Sequence, residues 1–142
     1  MSFPYTQLQR AWLQDLKITE ELQTTAMLHE MRSGKADAYC CLGRACIVAN
    51  YTPFNVISCS GNIISYGLEE DERVWESLPQ SLVEELQLRD DIGSFFEEEL
   101  PADVPYKSLV EMNDSGYTFK QIAEFIEAHP RAVFTNLKKS SF

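Results

Sequence analysis

The sequence predicts an α+β domain that is mostly helical and carries one β-hairpin. Three observations point there. Leu8, Trp12 and Leu16 recur at a spacing of four, which places them on one stripe of an amphipathic helix. Thr118 and Gln121 stand three apart, the capping-box spacing, at the head of an apolar run. β-Branched residues flank Ser60-Gly61-Asn62, the signature of two strands joined by a turn. A hydrophobic share of 44% in 142 residues suits one globular domain with a buried core, expected to span 1–142.

Taken in order, residues 5–17 form the first helix, with Trp12 turned inward. Residues 19–35 are polar, with Leu22, Met27, Leu28 and Met31 scattered among them; this loose pattern allows a helix, which Ser33-Gly34 would end. Tyr39, Leu42, Cys46 and Ala49 return to helical spacing, and the small residues Cys41, Gly43 and Ala45 allow a neighbouring element to approach closely. The hairpin runs through residues 55–59 and 63–66. Ser77-Leu78-Pro79 then starts a helix whose apolar face is Leu82, Val83 and Leu86.

Residues 89–105 read as a loop anchored by Phe95, Phe96 and Leu100. A short helix over 106–112 closes at Asn113-Asp114-Ser115-Gly116. The capped helix follows with Phe119, Ile122, Ala123 and Ile126, and Pro130 opens a last one containing Val133, Phe134 and Leu137.

Charge is segregated along the chain. Residues 67–104 hold thirteen acidic side chains against Arg73 and Arg89, whereas the segments on either side are close to neutral. Two runs carry the excess, Glu69-Glu70-Asp71-Glu72 and Glu97-Glu98-Glu99. All seven are candidate partner-binding residues: such a surface steers basic partners and repels phosphate. No apolar run approaches the roughly 20 residues that cross a bilayer, so no membrane partner is expected. The N-terminal residues do not pair a basic region with an apolar stretch, and a cytoplasmic location with free thiols follows as the expectation.

Catalytic equipment is sparse. Cys40, Cys41, Cys46 and Cys59 have neither CxxC nor knuckle spacing, and joining His29 to Cys41, Cys46 and Cys59 is arbitrary. No metal and no cofactor is therefore expected, and buried thiols are the simpler reading. His29 and His129 read as surface or helix-end residues, and neither pairs by context with a particular cysteine. Phosphate-cradling, nucleophile-elbow and zincin motifs are missing from the sequence, so no enzyme is expected.

Residues 118–126 are similar to the first helix of a helix-turn-helix. If the motif were completed, Arg131, Thr135, Asn136, Lys138 and Lys139 would reach DNA. Glu127 stands where the turn usually has glycine, however, and two packed helices are also an ordinary unit.

The chain resembles a family of small uncharacterised phage and prophage proteins. The resemblance rests on Trp12 and Leu16, then Gln23 and Leu28, then Tyr39-Cys40-Cys41-Leu42-Gly43 with Cys46 following. Leu78-Pro79, Val83, Leu86-Gln87-Leu88, Gly93 and Phe95 continue it, and Asn113-Asp114, Phe119, Ile122-Ala123 and Ile126-Glu127 close it. Gln87 stands where that family often has glycine, and Arg44-Ala45 replaces a more apolar pair. The resemblance implies a phage-like context and no known activity, and leaves 129–142 as an extension of this chain.

The leading expectation is thus a non-enzymatic binder that modulates or inhibits a host or phage protein through its acidic segment, 67–104. A defence or nucleic-acid-binding protein would fit as the target. DNA binding through the C-terminal helices is the alternative, and capture of a small signalling nucleotide is the second.

Overall fold

A computed structural model describes residues 3–31, 36–51, 53–58, 61–66, 74 and 76–137; for 54–58 and 61–63 it describes the backbone. The expected α+β architecture is present, and helices dominate it. Helix α1 (Gln7–Ile18) starts on a complete capping box in which Thr6 and Gln9 exchange side-chain and backbone hydrogen bonds. Its inward stripe is Trp12, Leu13 and Leu16, all buried.

Over the described residues of 19–35, which are 19–31, the loose helix does not form. That stretch instead supplies β1 (Leu22–Gln23) and β2 (His29–Met31), which join β3 (Ala38–Tyr39), β4 (Pro53–Ser58) and β5 (Gly61–Tyr66) in a mixed sheet ordered β1-β3-β2-β5-β4. β1 runs parallel to β3, and the other pairs are antiparallel. Strands of two or three residues carry too little periodicity to be read locally, and their hydrogen-bond partners lie elsewhere in the chain. The hairpin is present, with a shifted turn: Ser58 pairs with Gly61 and Ile57 with Asn62, so Gly61 and Asn62 belong to β5.

Helix α2 (Cys41–Val48) begins at Cys40, whose thiol accepts the Gly43 N–H at 3.3 Å. Gly43 fulfils the close approach expected of it, since a Cβ there would stand 1.8 Å from the Leu28 carbonyl oxygen. Helix α3 (Gln80–Leu86) follows Pro79 and ends at Gln87, which adopts the left-handed conformation at φ 58°. The Gln87 backbone thus takes the form that suits glycine best.

Ser108 caps α4 (Leu109–Asp114), placing this helix slightly later than the expected 106–112. The second capping box, Thr118 with Gln121, opens α5 (Phe119–Ala128) as anticipated. Helix α6 (Pro130–Val133) is a single turn and does not extend through Leu137. The core accounts for this early end. Phe134 leaves the helix to bridge Leu88 and is fully buried, edge-on to Trp12 with ring centroids 6.3 Å apart. Burying a phenylalanine outweighs continuing an exposed helix by one turn.

Candidate functional site

Glu97, Glu98 and Glu99 form an exposed 3-10 turn on the surface. The aromatic pair before it fixes its position. Phe95 is buried and packs against Phe125 with ring centroids 5.2 Å apart, and the Phe96 N–H donates to the Ala132 carbonyl at 2.8 Å. Arg89 reinforces the approach: it donates to the Phe95 carbonyl at 2.7 Å while its guanidinium lies 5.3 Å from the Phe96 ring centre. Phe95 and Phe96 thus serve as the anchors expected from the sequence, with Leu100 half-buried behind them.

A depression adjoins each end of this turn. The wider is a cleft of about 910 Å³ whose apolar walls include Phe3, Tyr5, Pro130 and Leu137, and to which Glu99, Glu127, His129 and Arg131 add polar groups. The narrower, about 190 Å³, includes Glu97, Leu100, Pro101, Val104 and Tyr106. Burial and then the neighbouring Glu127 push the Tyr5 phenol above its usual range, so it stays a neutral donor. Glu127 is itself bonded to Lys17 at 2.6 Å, and Lys107 comes within 3.7 Å of Glu97. Both pairs are exposed and contribute little to stability.

The cleft's N-terminal wall is held by a reciprocal amide pair. Gln9, fully buried, donates to Asn136 at 2.7 Å and to the Leu86 carbonyl at 2.8 Å. Asn136 returns a bond to Gln9 at 2.9 Å and donates to the Pro4 carbonyl at 3.0 Å. Asn136 is therefore spent on tying the two chain ends together. The Thr135 N–H is likewise taken by the Gln87 carbonyl at 2.8 Å.

Of the residues proposed to reach DNA, Arg131 alone is exposed within a helix; Thr135 and Asn136 follow the end of α6, and Lys138 and Lys139 lie outside the described residues. No recognition helix is formed among the described residues. Glu69, Glu70, Asp71 and Glu72 also lie outside them, so the acidic segment is described here through Glu97, Glu98 and Glu99.

Cys40, Cys41 and Cys46 are buried, free thiols. Desolvation pushes Cys40 up to about 11 and raises Cys41 and Cys46 well above the usual thiol range. Cys59 lies outside the described residues. Among the described residues, no group of three or more His, Cys, Asp or Glu could hold a metal ion.

His29 is not the surface residue expected; it is 5% exposed. Its Nδ1 meets the Tyr66 hydroxyl at 2.6 Å, its Nε2 meets Asp37 at 2.8 Å, and its ring lies against Tyr39 with centroids 4.1 Å apart. Beyond Tyr39, Arg44 caps the ring at 4.8 Å and forms a two-pronged pair with Asp15 at 2.9 and 2.7 Å. The buried charge of Arg44 is thereby matched. His129 is found at a helix end, capping α5 as expected.

The start of α2 and the end of α4 meet in space. The Asn113 side-chain oxygen accepts the Cys41 N–H at 3.1 Å and Gln23 Nε2 at 2.7 Å, while its nitrogen donates to the Thr24 carbonyl at 2.8 Å. Trp12 Nε1 adds a bond to the Cys41 carbonyl at 2.9 Å. These polar residues form a structural joint, and none of them lines the cleft. Sequence reasoning found neither this joint nor the Gln9–Asn136 pair nor the cleft, because each depends on contacts between distant segments. No family model, curated protein or solved structure matches the chain.

Proposed function

We propose that this protein is a non-enzymatic binder that captures a partner protein on the face formed by the Glu97–Glu99 turn and its two flanking depressions. One observation carries the reading: three consecutive carboxylates stand on an anchored turn, with Glu99 on the wall of a largely apolar cleft and Glu97 on a smaller depression lined by both apolar and charged residues. Interfaces join an apolar centre, which supplies desolvation energy, to a charged rim, which supplies steering and selectivity. The same carboxylates disfavour nucleic acid and nucleotides, whose phosphates they repel.

The resemblance to phage proteins supports a host or phage protein as the partner, and modulation or inhibition of that protein in the cytoplasm as the outcome. Immobilised protein should capture the partner from host extract at low ionic strength and release it as salt is raised. The variant combining Glu97→Lys, Glu98→Lys and Glu99→Lys should fold as the wild type does by circular dichroism and lose the capture. Equal capture by the folded variant would remove the acidic turn from the function.

A further inference from the structure

We propose that β4 is a dimerisation edge: two copies of this chain pair their β4 strands antiparallel about a two-fold axis at Val56, joining two five-stranded sheets into one.

The free edge follows from the hydrogen-bond phase of the hairpin. Tyr66 gives both of its backbone bonds to Val74, its N–H donating at 2.8 Å and its carbonyl accepting at 2.9 Å. Its pairing with Pro53 is therefore the kind in which the two opposed residues exchange no hydrogen bond. Bonded and non-bonded pairs alternate along an antiparallel ladder. Phe54, Val56 and Ser58 thus bond to β5, while Asn55 and Ile57 turn their backbone N–H and carbonyl groups away from it. β4 ends the sheet order, and among the described residues no strand lies beyond it. Two donors and two acceptors line this edge at strand spacing, and an added strand satisfies them.

Charge and register point to a second copy as that strand. A net charge of -10 makes copies of the chain repel, yet no Asp, Glu, Lys or Arg occurs from residue 45 to residue 68. The hairpin is thus an uncharged strip on which two copies can meet. β1, at the opposite edge, has two residues and directly follows Glu20 and Glu21; short length and charge both blunt an edge. On β4 only Pro53, at its start, acts in that way.

A closed dimer sets residue i opposite j and j opposite i. Centred on Val56, the pairing places Asn55 against the partner's Ile57 and Ile57 against the partner's Asn55, which uses every outward group on both residues. Centred on Asn55 instead, Ile57 would face the partner's Pro53, which has no N–H, and the Ile57 carbonyl would stay open. Symmetry brings matching donors and acceptors, whereas no charge in this strip selects a foreign sequence.

Sedimentation equilibrium of the full chain over a concentration series should show monomer and dimer. Like charges repel the copies, so the dimer should gain as salt rises. Capture at the Glu97–Glu99 turn should fall with salt, and the two readings therefore fail separately. Asn55→Pro removes an outward N–H, keeps the bonds to β5, and should weaken the dimer by about tenfold or more. In a Cys59→Ser background, Val56→Cys should form a disulfide between copies on mild oxidation. Opposed residues of a non-bonded pair stand ~4.5 Å apart at Cα, within disulfide reach. In the unsubstituted chain, hydrogen exchange at the Asn55 and Ile57 amides should slow as concentration passes through the dimer range.

A monomer at every concentration and salt would overturn the proposal, as would a dimer in which these two amides do not slow. So would a folded Asn55→Pro variant that dimerises like the wild type, or a crosslink formed by Asn55→Cys in preference to Val56→Cys. Amides already slow in a monomer would make another segment of the chain the occupant, and slowing only on addition of host extract would make it a foreign strand; either result overturns the dimer.

Discussion

The side chain of Asn113 accepts the backbone N–H of Cys41 at 3.1 Å, joining the start of α2 to the end of α4 across 72 residues of sequence. Asn113 is only 1% exposed, so each group it satisfies would otherwise be buried without water. Asn113→Ala strands the Cys41 N–H and the Thr24 carbonyl together and should cost about 3 kcal/mol. Asn113→Asp keeps the acceptor but loses the donor to Thr24 and buries a charge, and should be at least as damaging. Urea unfolding of the two variants measures both costs. A loss below about 1 kcal/mol for Asn113→Ala would show that the joint is dispensable.

Two glycines separate steric from conformational demand. At Gly43 an added Cβ meets the Leu28 backbone at 1.8 Å, whereas at Gly116, with φ 99°, it meets nothing within 4 Å. Gly43→Ala should therefore cost about 3 kcal/mol or more, because backbone must move. Gly116→Ala should cost about 1–2 kcal/mol, from the strained backbone alone. Thermal unfolding of the pair tests the ranking.

At Gln87 the sign reverses. Its φ of 58° lies where glycine carries no Cβ penalty, and the bond its carbonyl accepts from Thr135 survives substitution. Gln87→Gly should raise stability by about 0.5 kcal/mol, the relief of strain exceeding the added freedom of the unfolded chain. A lower melting temperature would contradict this account of the α3 end.

Acid should weaken the sheet through His29. Burial lowers its pKa, and Arg44 acts in the same direction, against the opposing pull of Asp37 and Glu21. The neutral ring accepts from Tyr66 and donates to Asp37, with the Tyr39 ring tilted against it. With the folded value below the unfolded one of ~6.5, the stabilisation is complete above pH ~6.5 and declines as pH falls toward the folded value. Unfolding free energy measured between about pH 7.5 and about pH 5.5 should fall, and His29→Gln should flatten that slope. An unchanged slope in the variant would assign the acid sensitivity to other groups.

Thiol chemistry should distinguish the cysteines. With Cys40 pushed up to about 11, only about one thiol in a thousand is ionised at pH ~8, and Cys41 and Cys46 are buried beside it. Native protein should expose none of these three to an alkylating reagent on the timescale of minutes, and all should react once unfolded. Mass mapping identifies the sites. Rapid native alkylation at Cys41 would refute its burial.

The elements legible in the sequence are those written in neighbouring residues. Leu8, Trp12 and Leu16 outline α1, and the Thr118–Gln121 box opens α5, because helical contacts join residues three and four apart. β1 and β2 were hidden for the opposite reason: Leu22 pairs with Ala38 and Glu30 with Ile63. The expected length of α6 was overruled by Phe134, whose place is set by Trp12 and Leu88. At the candidate site, Glu97, Glu98 and Glu99 were visible as a charge run and Phe95 as an anchor, while the cleft walls come from both chain ends.

By itself, then, the sequence determined the mostly helical α+β class, the Thr118–Gln121 capping box, the hairpin and the segregation of acidic charge. Tertiary structure alone decided that His29 is buried against Tyr66, that Asn136 turns to Gln9, and that Glu99 and Glu97 each border a depression. Local signals arise from hydrogen bonds and contacts within a turn of the backbone. Burial and a binding surface arise only when distant segments pack, and that packing settles which polar groups remain available to a partner.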